Sequence, residues 1–234
     1  MKKLHFAVLL SGCGVYDGSE IHESVLTLLA IDECGGSYQC IAPSGNQYHV
    51  INHVDGSVQP HSRNIIEESA RIARGNIKSI HEINASDYVG LIIPGGFGAA
   101  KNLNQWAIEG PNGGISEEVK DLILQFISSN KPIGAMCMGP TVVAKALQNS
   151  RITARITVGS IHAESPYDIG AISMSLESIG MEIVMRKKDE VEVDTEHKIV
   201  TAPCYMMESS ISDIRANTQL LIKSVIALIP QELG

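Results

Sequence analysis

The chain has 234 residues, of which 44% are hydrophobic and 19% are charged, and its formal net charge is −8. This is the balance of an ordinary globular protein that is long enough for a large core. The negative charge and the lack of a run of basic residues argue against nucleic acid or an anionic membrane surface as a partner. Five cysteines without paired spacing favour a reducing compartment, so we expect a cytoplasmic location. No stretch approaches the ~18–20 apolar residues of a membrane span.

The first residues allow two interpretations. Two lysines precede a short apolar run, and Leu10-Ser11-Gly12-Cys13 resembles the cleavage site of a bacterial lipoprotein. The apolar run is interrupted by His5 and is at the lower limit for a signal peptide. We therefore favour a first buried strand over Leu4–Leu10.

Apolar runs and turn residues predict an alternation of strands and helices along the chain. The predicted strands are Leu4–Leu10, Tyr38–Ala42, Tyr48–Val54, Tyr88–Pro94, Pro132–Met136, Ile156–Val158, Met181–Met185, Val191–Asp194 and Lys198–Ala202. The predicted helices are Glu20–Cys34, Asn64–Arg74, Ser116–Asn130, Thr141–Leu147, Ile169–Ile179 and Glu208–Ile229. Strands that alternate with helices of ten or more residues indicate an α/β fold, with a mostly parallel sheet covered by helices on both faces. We see no linker or repeat and predict a single domain over residues 1–234.

The first predicted helix has two kinds of residue that concern the site. Ile21, Val25, Leu28 and Leu29 are spaced to form one apolar face, which we expect to pack on the core. Glu23 lies about 200° round the helix from that face, near the helix start. A solvated glutamate is the ordinary interpretation, and a carboxyl over a catalytic site is the functional one; Glu20 and His22 compete for that role.

The stretch KPIGAMCMGPT, residues 131–141, has the pattern of a nucleophile elbow. An apolar run ends at Cys137, and Gly139-Pro140 leads directly into a helix. A sharp strand–turn–helix connection exposes a nucleophile above the sheet. Free N–H groups and the helix dipole at such a place lower a thiol pKa from its usual value, so we expect a reactive thiolate. The competing interpretation of Cys137 is an inert buried cysteine. We interpret Cys13, Cys34, Cys40 and Cys204 as packing residues of that kind.

Two glycine-rich loops are expected beside Cys137, since both follow strands of a parallel sheet. Residues 11–19 follow the first strand, and residues 95–98 follow Tyr88–Pro94. Gly95 and Gly96 allow backbone N–H groups to approach a ligand, which suits an oxyanion hole as well as a plain turn. The glycine spacing in residues 12–18 is one residue too long for a dinucleotide site, and the scattered histidines form no metal motif. We predict neither cofactor nor metal.

Four blocks in fixed order resemble the ElbB family, named for enhanced lycopene biosynthesis and also called glyoxalase ElbB: SGCGVYDGSEIHE, PGGFGAAKNL, AMCMGP and KIVTAPCYM. The resemblance runs to about residue 228, and the family lies in the PfpI/ThiJ branch of the class I glutamine amidotransferase-like superfamily. It implies a flavodoxin-like α/β sandwich in three layers. It places the superfamily's nucleophile on Cys137, its acidic residue best on Glu23 and its oxyanion glycine on Gly95 or Gly96.

This sequence departs from the superfamily's hydrolases at two places. Met138 stands where the peptidases have a histidine directly after the cysteine, and residues 201–206 lack the late His-x-Glu of glutaminases. Without a triad histidine, hydrolysis of amides is poorly supported. The resemblance instead implies a glyoxalase that acts on small dicarbonyls such as methylglyoxal. In that hypothesis Cys137 attacks the aldehyde, Glu23 moves the proton, and the N–H groups of Gly96 and Met138 hold the oxyanion.

The alternative hypothesis is non-catalytic. The same cysteine would serve a redox-sensing or metabolite-binding module, since an accessible thiolate oxidises readily. For either function we expect a homodimer, the commonest assembly among oligomeric proteins and one that is common in the resembled superfamily.

Overall fold

The computed structural model describes residues 4–230. The strands are β1 His5–Leu9, β2 Ser37–Ala42, β3 Ile77–Ser79, β4 Gly90–Ile93, β5 Ile133–Met136, β6 Arg155–Ile156, β7 Glu182–Ile183, β8 Glu192–Asp194 and β9 Ile199–Ala202. The α-helices are α1 Ile21–Glu33, α2 Ile65–Ile72, α3 Trp106–Glu109, α4 Glu117–Ser128, α5 Gly139–Leu147, α6 Ile169–Ser178 and α7 Ile211–Ala227. A π-helical turn, Ala99–Leu103, follows the second glycine loop.

Seven strands form the central sheet, in the order β3-β2-β1-β4-β5-β9-β8. All neighbours run parallel except β8, which pairs antiparallel with β9. Strands β6 and β7 form a separate parallel pair. The central strands are apolar along their whole length because helices cover both faces. This is the predicted flavodoxin-like α/β sandwich with a mostly parallel sheet.

The carboxyl ends of β1, β4, β5 and β9 meet at one edge of the sheet. Residue pairs Ile93–Ala135 and Met136–Ala202 are in register, so the segments that follow β4, β5 and β9 leave the sheet side by side. The loop after β1 joins them, since the N–H of Phe97 donates to the carbonyl of Val15 over 2.8 Å. The fold therefore brings both glycine loops to the Cys137 turn.

The predicted strand over Tyr48–Val54 is wrong. The outer edge of β2 pairs instead with β3, a strand that the sequence pattern does not predict. Residues 48–54 lie in a surface segment whose backbone groups bind elsewhere: the Ile51 N–H donates to the Asp17 carboxylate over 2.6 Å. Val54 is 95% exposed at the tip, which a half-buried strand does not allow.

The predicted core face of α1 is also wrong. Ile21, Val25 and Leu29 are exposed, and only Leu28 of that set is buried. The helix packs on α7 and the sheet mostly through small and polar residues, with Leu28 and Ile31 as the two large apolar ones; its buried residues are Glu23, Ser24, Thr27, Leu28, Ala30 and Ile31. Close packing of two helices favours small side chains, and this reverses the face that hydrophobicity alone indicates.

Candidate active site

Cys137 occupies a strained turn between β5 and α5. Its φ is +54°, a left-handed conformation that few residues other than glycine adopt. The Cys137 N–H donates to the Ala202 carbonyl of neighbouring β9 over 3.0 Å, which holds the turn against the sheet. Met138 follows as the N-cap of α5, and Pro140 lies in the first turn, where it needs no N–H. The strand–turn–helix elbow is therefore present as predicted.

The Glu23 carboxyl is the acidic partner of this thiol. It is fully buried, and the Cys137 thiol donates a hydrogen bond to it. Its two oxygens also accept backbone N–H groups, from Gly95 over 2.9 Å and from Tyr205 over 3.3 Å. Three elements thus fix the carboxyl: α1, the turn after β4 and the turn after β9.

The two competitors of Glu23 have other partners. Glu20 caps α1 and accepts the Glu23 N–H over 2.6 Å. The ring Nδ1 of His22 lies 2.8 Å from the Tyr205 hydroxyl, at the exposed rim. Of the three candidates on α1, Glu23 is thus the one that is bonded to Cys137 in this structure.

Burial dominates the electrostatics of the pair. It raises the pKa of Glu23 to about 8, with the charge of Glu20 adding to the shift and the hydrogen bonds opposing it. Burial and the Glu23 charge also raise the pKa of Cys137 well above its ordinary value. The expected lowered pKa of the thiol is wrong for this state, because the two groups are enclosed together and the cysteine is only 4% exposed. At neutral pH the pair is a thiol beside a carboxylic acid.

The glycine turn after β4 divides its two N–H groups between the two reactive groups. The Gly95 N–H binds Glu23, whereas the Gly96 N–H donates to the sulfur of Cys137. Gly96 has a φ of +93°, and a Cβ there would lie 2.4 Å from the Glu20 nitrogen. Of the two glycines, Gly96 is the one whose N–H is directed at the nucleophile. Within residues 4–230, the Met138 N–H has no acceptor and remains available beside it.

Three site residues were not singled out from the sequence. Tyr205, in the turn after β9, binds Glu23 through its backbone. Tyr167 lies between β6 and α6, and its ring packs edge-on against Phe97 with centroids 6.2 Å apart. Phe97 could have been suspected because it interrupts the glycine turn, but no local signal connects Tyr167 to a cysteine thirty positions earlier.

The other cysteines differ in their relation to the site. All five are free thiols. Cys204 is fully buried near the Cys137 thiol, whose pKa its charge raises further, so it borders the site. No group of three or more potential metal ligands occurs among residues 4–230, and no helix in that range is long and apolar enough to cross a membrane.

The sequence of this chain is similar to those of known proteins. A model described as the DJ-1/PfpI family matches residues 57–202. The human glutamine amidotransferase-like class 1 domain-containing protein 3, mitochondrial, is 36% identical over 226 residues, which cover 95% of this chain and 82% of the relative.

Solved structures show the same fold. An isoprenoid biosynthesis protein with an amidotransferase-like domain from Ehrlichia chaffeensis is 32% identical, with a TM-score of 0.85 over 96% of this chain and 99% of its own. Glyoxalase III from Candida albicans has a TM-score of 0.61 at 14% identity, over 97% of this chain and 98% of its own. At that identity the likeness is one of fold alone.

Proposed function

The chain belongs to the DJ-1/PfpI family, and on that premise we propose that it is a cofactor-independent glyoxalase that converts small dicarbonyls such as methylglyoxal to 2-hydroxy acids. The observation that carries the proposal is the buried pair of Cys137 thiol and Glu23 carboxyl, with the Gly96 N–H on the sulfur. A nucleophile beside an acid–base group suits proton transfer between adjacent carbons. This proton transfer needs no triad histidine, which agrees with Met138 at the position after the nucleophile.

The first step adds the thiol to the aldehyde carbon C1. A bond forms between sulfur and C1, and the thiol proton ends on the C1 oxygen, relayed by the Glu23 carboxyl. The N–H groups of Gly96 and Met138 stabilise the charge that develops on that oxygen. The product is a hemithioacetal that still carries the second carbonyl at C2.

The second step moves a proton between the carbons. Glu23, as carboxylate, removes the C1 hydrogen and gives it back at C2, while the C1 hydroxyl proton passes to the C2 oxygen. The result is a 2-hydroxy thioester on Cys137, which water hydrolyses to the free acid and the thiol. Methylglyoxal and water thus give lactate without an oxidant or reductant. A base with a pKa of about 8 is well matched to this proton transfer.

The test is lactate formation from methylglyoxal by the parent and by Cys137→Ala and Glu23→Gln. Both variants should lose at least 10²-fold in kcat/KM. Cys34→Ala, at the far end of α1, is the matched control and should keep the parent rate. Parent activity that survives in both variants would refute this mechanism.

A redox-sensing role of the same cysteine is the alternative. The N–H groups of Gly96 and Met138, and a Glu23 carboxyl that is protonated at neutral pH, are donors that would hold a sulfinate on Cys137. Two equivalents of hydrogen peroxide per thiol supply the oxidant, and they leave as water. Mass spectrometry after mild peroxide, with the dicarbonyl assay on the same sample, separates the two functions: selective oxidation without turnover favours the sensor.

We further propose that the protein is a member of the ElbB group within its family, acts in the cytoplasm and forms a homodimer. The ElbB assignment draws on the four sequence blocks. A connection to isoprenoid biosynthesis, which we also propose, draws on the similarity to the isoprenoid biosynthesis protein of Ehrlichia chaffeensis. The dimer draws on the exposed stripe of Ile21, Val25 and Leu29, which borders a groove of about 620 Å³. A twofold interface is self-complementary, so the same stripe on a second copy related by twofold symmetry would cover it.

A further inference from the structure

Hydrogen bonds through Ser165 connect the backbone of Tyr167 to the turn after β9. The Tyr167 N–H donates to the Ser165 hydroxyl over 2.9 Å, and that hydroxyl donates to the Met206 carbonyl over 2.6 Å. Met206 ends the short helical turn that follows β9 and that includes Tyr205, a partner of Glu23. The segment between β6 and α6 is therefore fastened to the same turn that positions the acid.

The ring of Tyr167 packs against the glycine turn after β4. It packs at 66° against Phe97, the residue after Gly96, and is half-buried there. Its hydroxyl has no hydrogen-bond partner among the described residues. The Tyr205 hydroxyl on the same rim is already paired with His22. A phenol whose ring is packed and whose hydroxyl is unpaired is a donor available to a bound molecule.

The reactive pair lies within electrostatic reach of this hydroxyl. Burial raises the pKa of Tyr167 to about 12, and the charges of Cys137 and Glu23 are the next causes of the shift. The phenol therefore stays protonated throughout the working range of pH and keeps an O–H to donate. Its donor supplements the N–H groups of Gly96 and Met138, which serve the oxygen on C1.

We propose that the Tyr167 hydroxyl is a catalytic hydrogen-bond donor to the second carbonyl oxygen of a 1,2-dicarbonyl, the oxygen on C2. This deepens the proposed function and rests on it for the substrate class. When Glu23 removes the C1 hydrogen, the electron pair moves to the C2 oxygen, and Tyr167 stabilises that enediolate without losing its proton. The same bond selects a ketoaldehyde over a simple aldehyde, which has no oxygen on C2.

The experiment combines turnover with a binding measurement that does not need it. Tyr167→Phe removes one hydroxyl and keeps the ring against Phe97; Tyr38→Phe, at the amino end of β2, is the matched control. Lactate formation from methylglyoxal gives kcat and KM. Protection of Cys137 from iodoacetamide, measured by mass spectrometry at rising methylglyoxal or propanal, gives the dissociation constant of each hemithioacetal.

We expect Tyr167→Phe to lower kcat about 10- to 100-fold, since a charge-assisted hydrogen bond is lost in the transition state. It should weaken the methylglyoxal adduct about 2- to 10-fold and leave the propanal adduct unchanged. The control Tyr38→Phe should match the parent in kcat and in the dissociation constants of both adducts. If the parent makes no lactate but this difference between the adducts is found, the proposed turnover fails and the Tyr167 contact stands. An unchanged kcat in an active enzyme, equal effects on both adducts or no adduct with either aldehyde would overturn the role of Tyr167.

Discussion

The Cys137 thiol donates a hydrogen bond to the Glu23 carboxyl, and both groups are enclosed by protein. The enclosure raises the pKa of each, so the neutral forms of both are favoured at neutral pH. Two N–H groups, from Gly95 and Tyr205, stabilise the carboxylate form of Glu23 and so limit the rise of its pKa to about 8. The pair is therefore suited to transfer protons rather than to hold a permanent thiolate.

The first prediction concerns the pH dependence of turnover. If Glu23 acts as carboxylate, kcat/KM for methylglyoxal should rise with pH through about 8, where that group is half ionised, and level off about one pH unit higher. Steady-state rates between pH 6 and 9.5 measure this profile. Glu23→Gln should be slow at every pH and lack the rise centred near 8, whereas the exposed Glu117→Gln should retain it. A parent rate that is flat across this range would exclude Glu23 as the base.

The second prediction concerns the pH dependence of stability. The folded pKa of Glu23, about 8, lies above its unfolded value of 4.5, so the unfolded chain releases this proton first as pH rises. The contribution of Glu23 is fully present below pH 4.5 and is lost as pH rises towards 8, at up to ~1.4 kcal/mol per pH unit. The free energy of unfolding from urea titrations should therefore fall more steeply in the parent than in Glu23→Gln.

Glu117→Gln provides the control for that comparison, because Glu117 is exposed in the first turn of α4. Its unfolding free energy should keep the slope of the parent between pH 4.5 and 8. Identical slopes for the parent and Glu23→Gln would mean that the Glu23 carboxyl is ionised in the native protein throughout this range.

Local sequence patterns predict most of this fold but only part of its site. Continuous apolar runs identified β1, β4 and β5, because strands buried on both faces have this pattern. The elbow at Cys137 followed from the turn residues beside it. The partner of the thiol could not be derived in the same way, since Ile21 and Val25 indicated that Glu23 pointed away from the core. Glu23 is buried because α7 packs against the small residues of α1, and this contact joins two helices that are far apart in the sequence.

The position of Tyr167 beside the site is a second feature that local sequence patterns do not predict. Its position depends on a hydrogen bond from Ser165 to Met206, forty-one residues later in the chain. Such contacts arise only when the β6–α6 segment and the turn after β9 meet in the folded protein. A sequence pattern with a period of two or 3.6 residues contains no information about them.

The third prediction concerns the close approach at Gly95. A Cβ there would lie 2.4 Å from the Cys137 Cβ and 2.7 Å from the Glu23 Oε2, so Gly95→Ala must push the pair apart. We expect a loss of at least 10²-fold in kcat/KM, because misplacement of reacting groups by about 1 Å has that effect. Overpacking should also destabilise the fold by about 1–3 kcal/mol.

Gly170→Ala is the matched control for this change. Gly170 lies in α6, where a Cβ would meet only ordinary contacts at 3.4 and 3.7 Å. Alanine should stabilise that helix by up to about 1 kcal/mol and leave turnover unchanged. Thermal unfolding and lactate formation measure both effects, and a fully active Gly95→Ala would show that the pair tolerates displacement.

The fourth prediction concerns assembly through α1. Val25 is 47% exposed at the centre of the apolar stripe, between Ile21 and Leu29. Val25→Asp places a charge where a second copy would bury the stripe, and an unpaired charge in an apolar interface opposes association. Light scattering after size-exclusion chromatography should show a dimer for the parent and a monomer for the variant. Met174→Asp, at an exposed methionine of α6, is the control and should remain dimeric; a monomeric parent would contradict the proposed assembly.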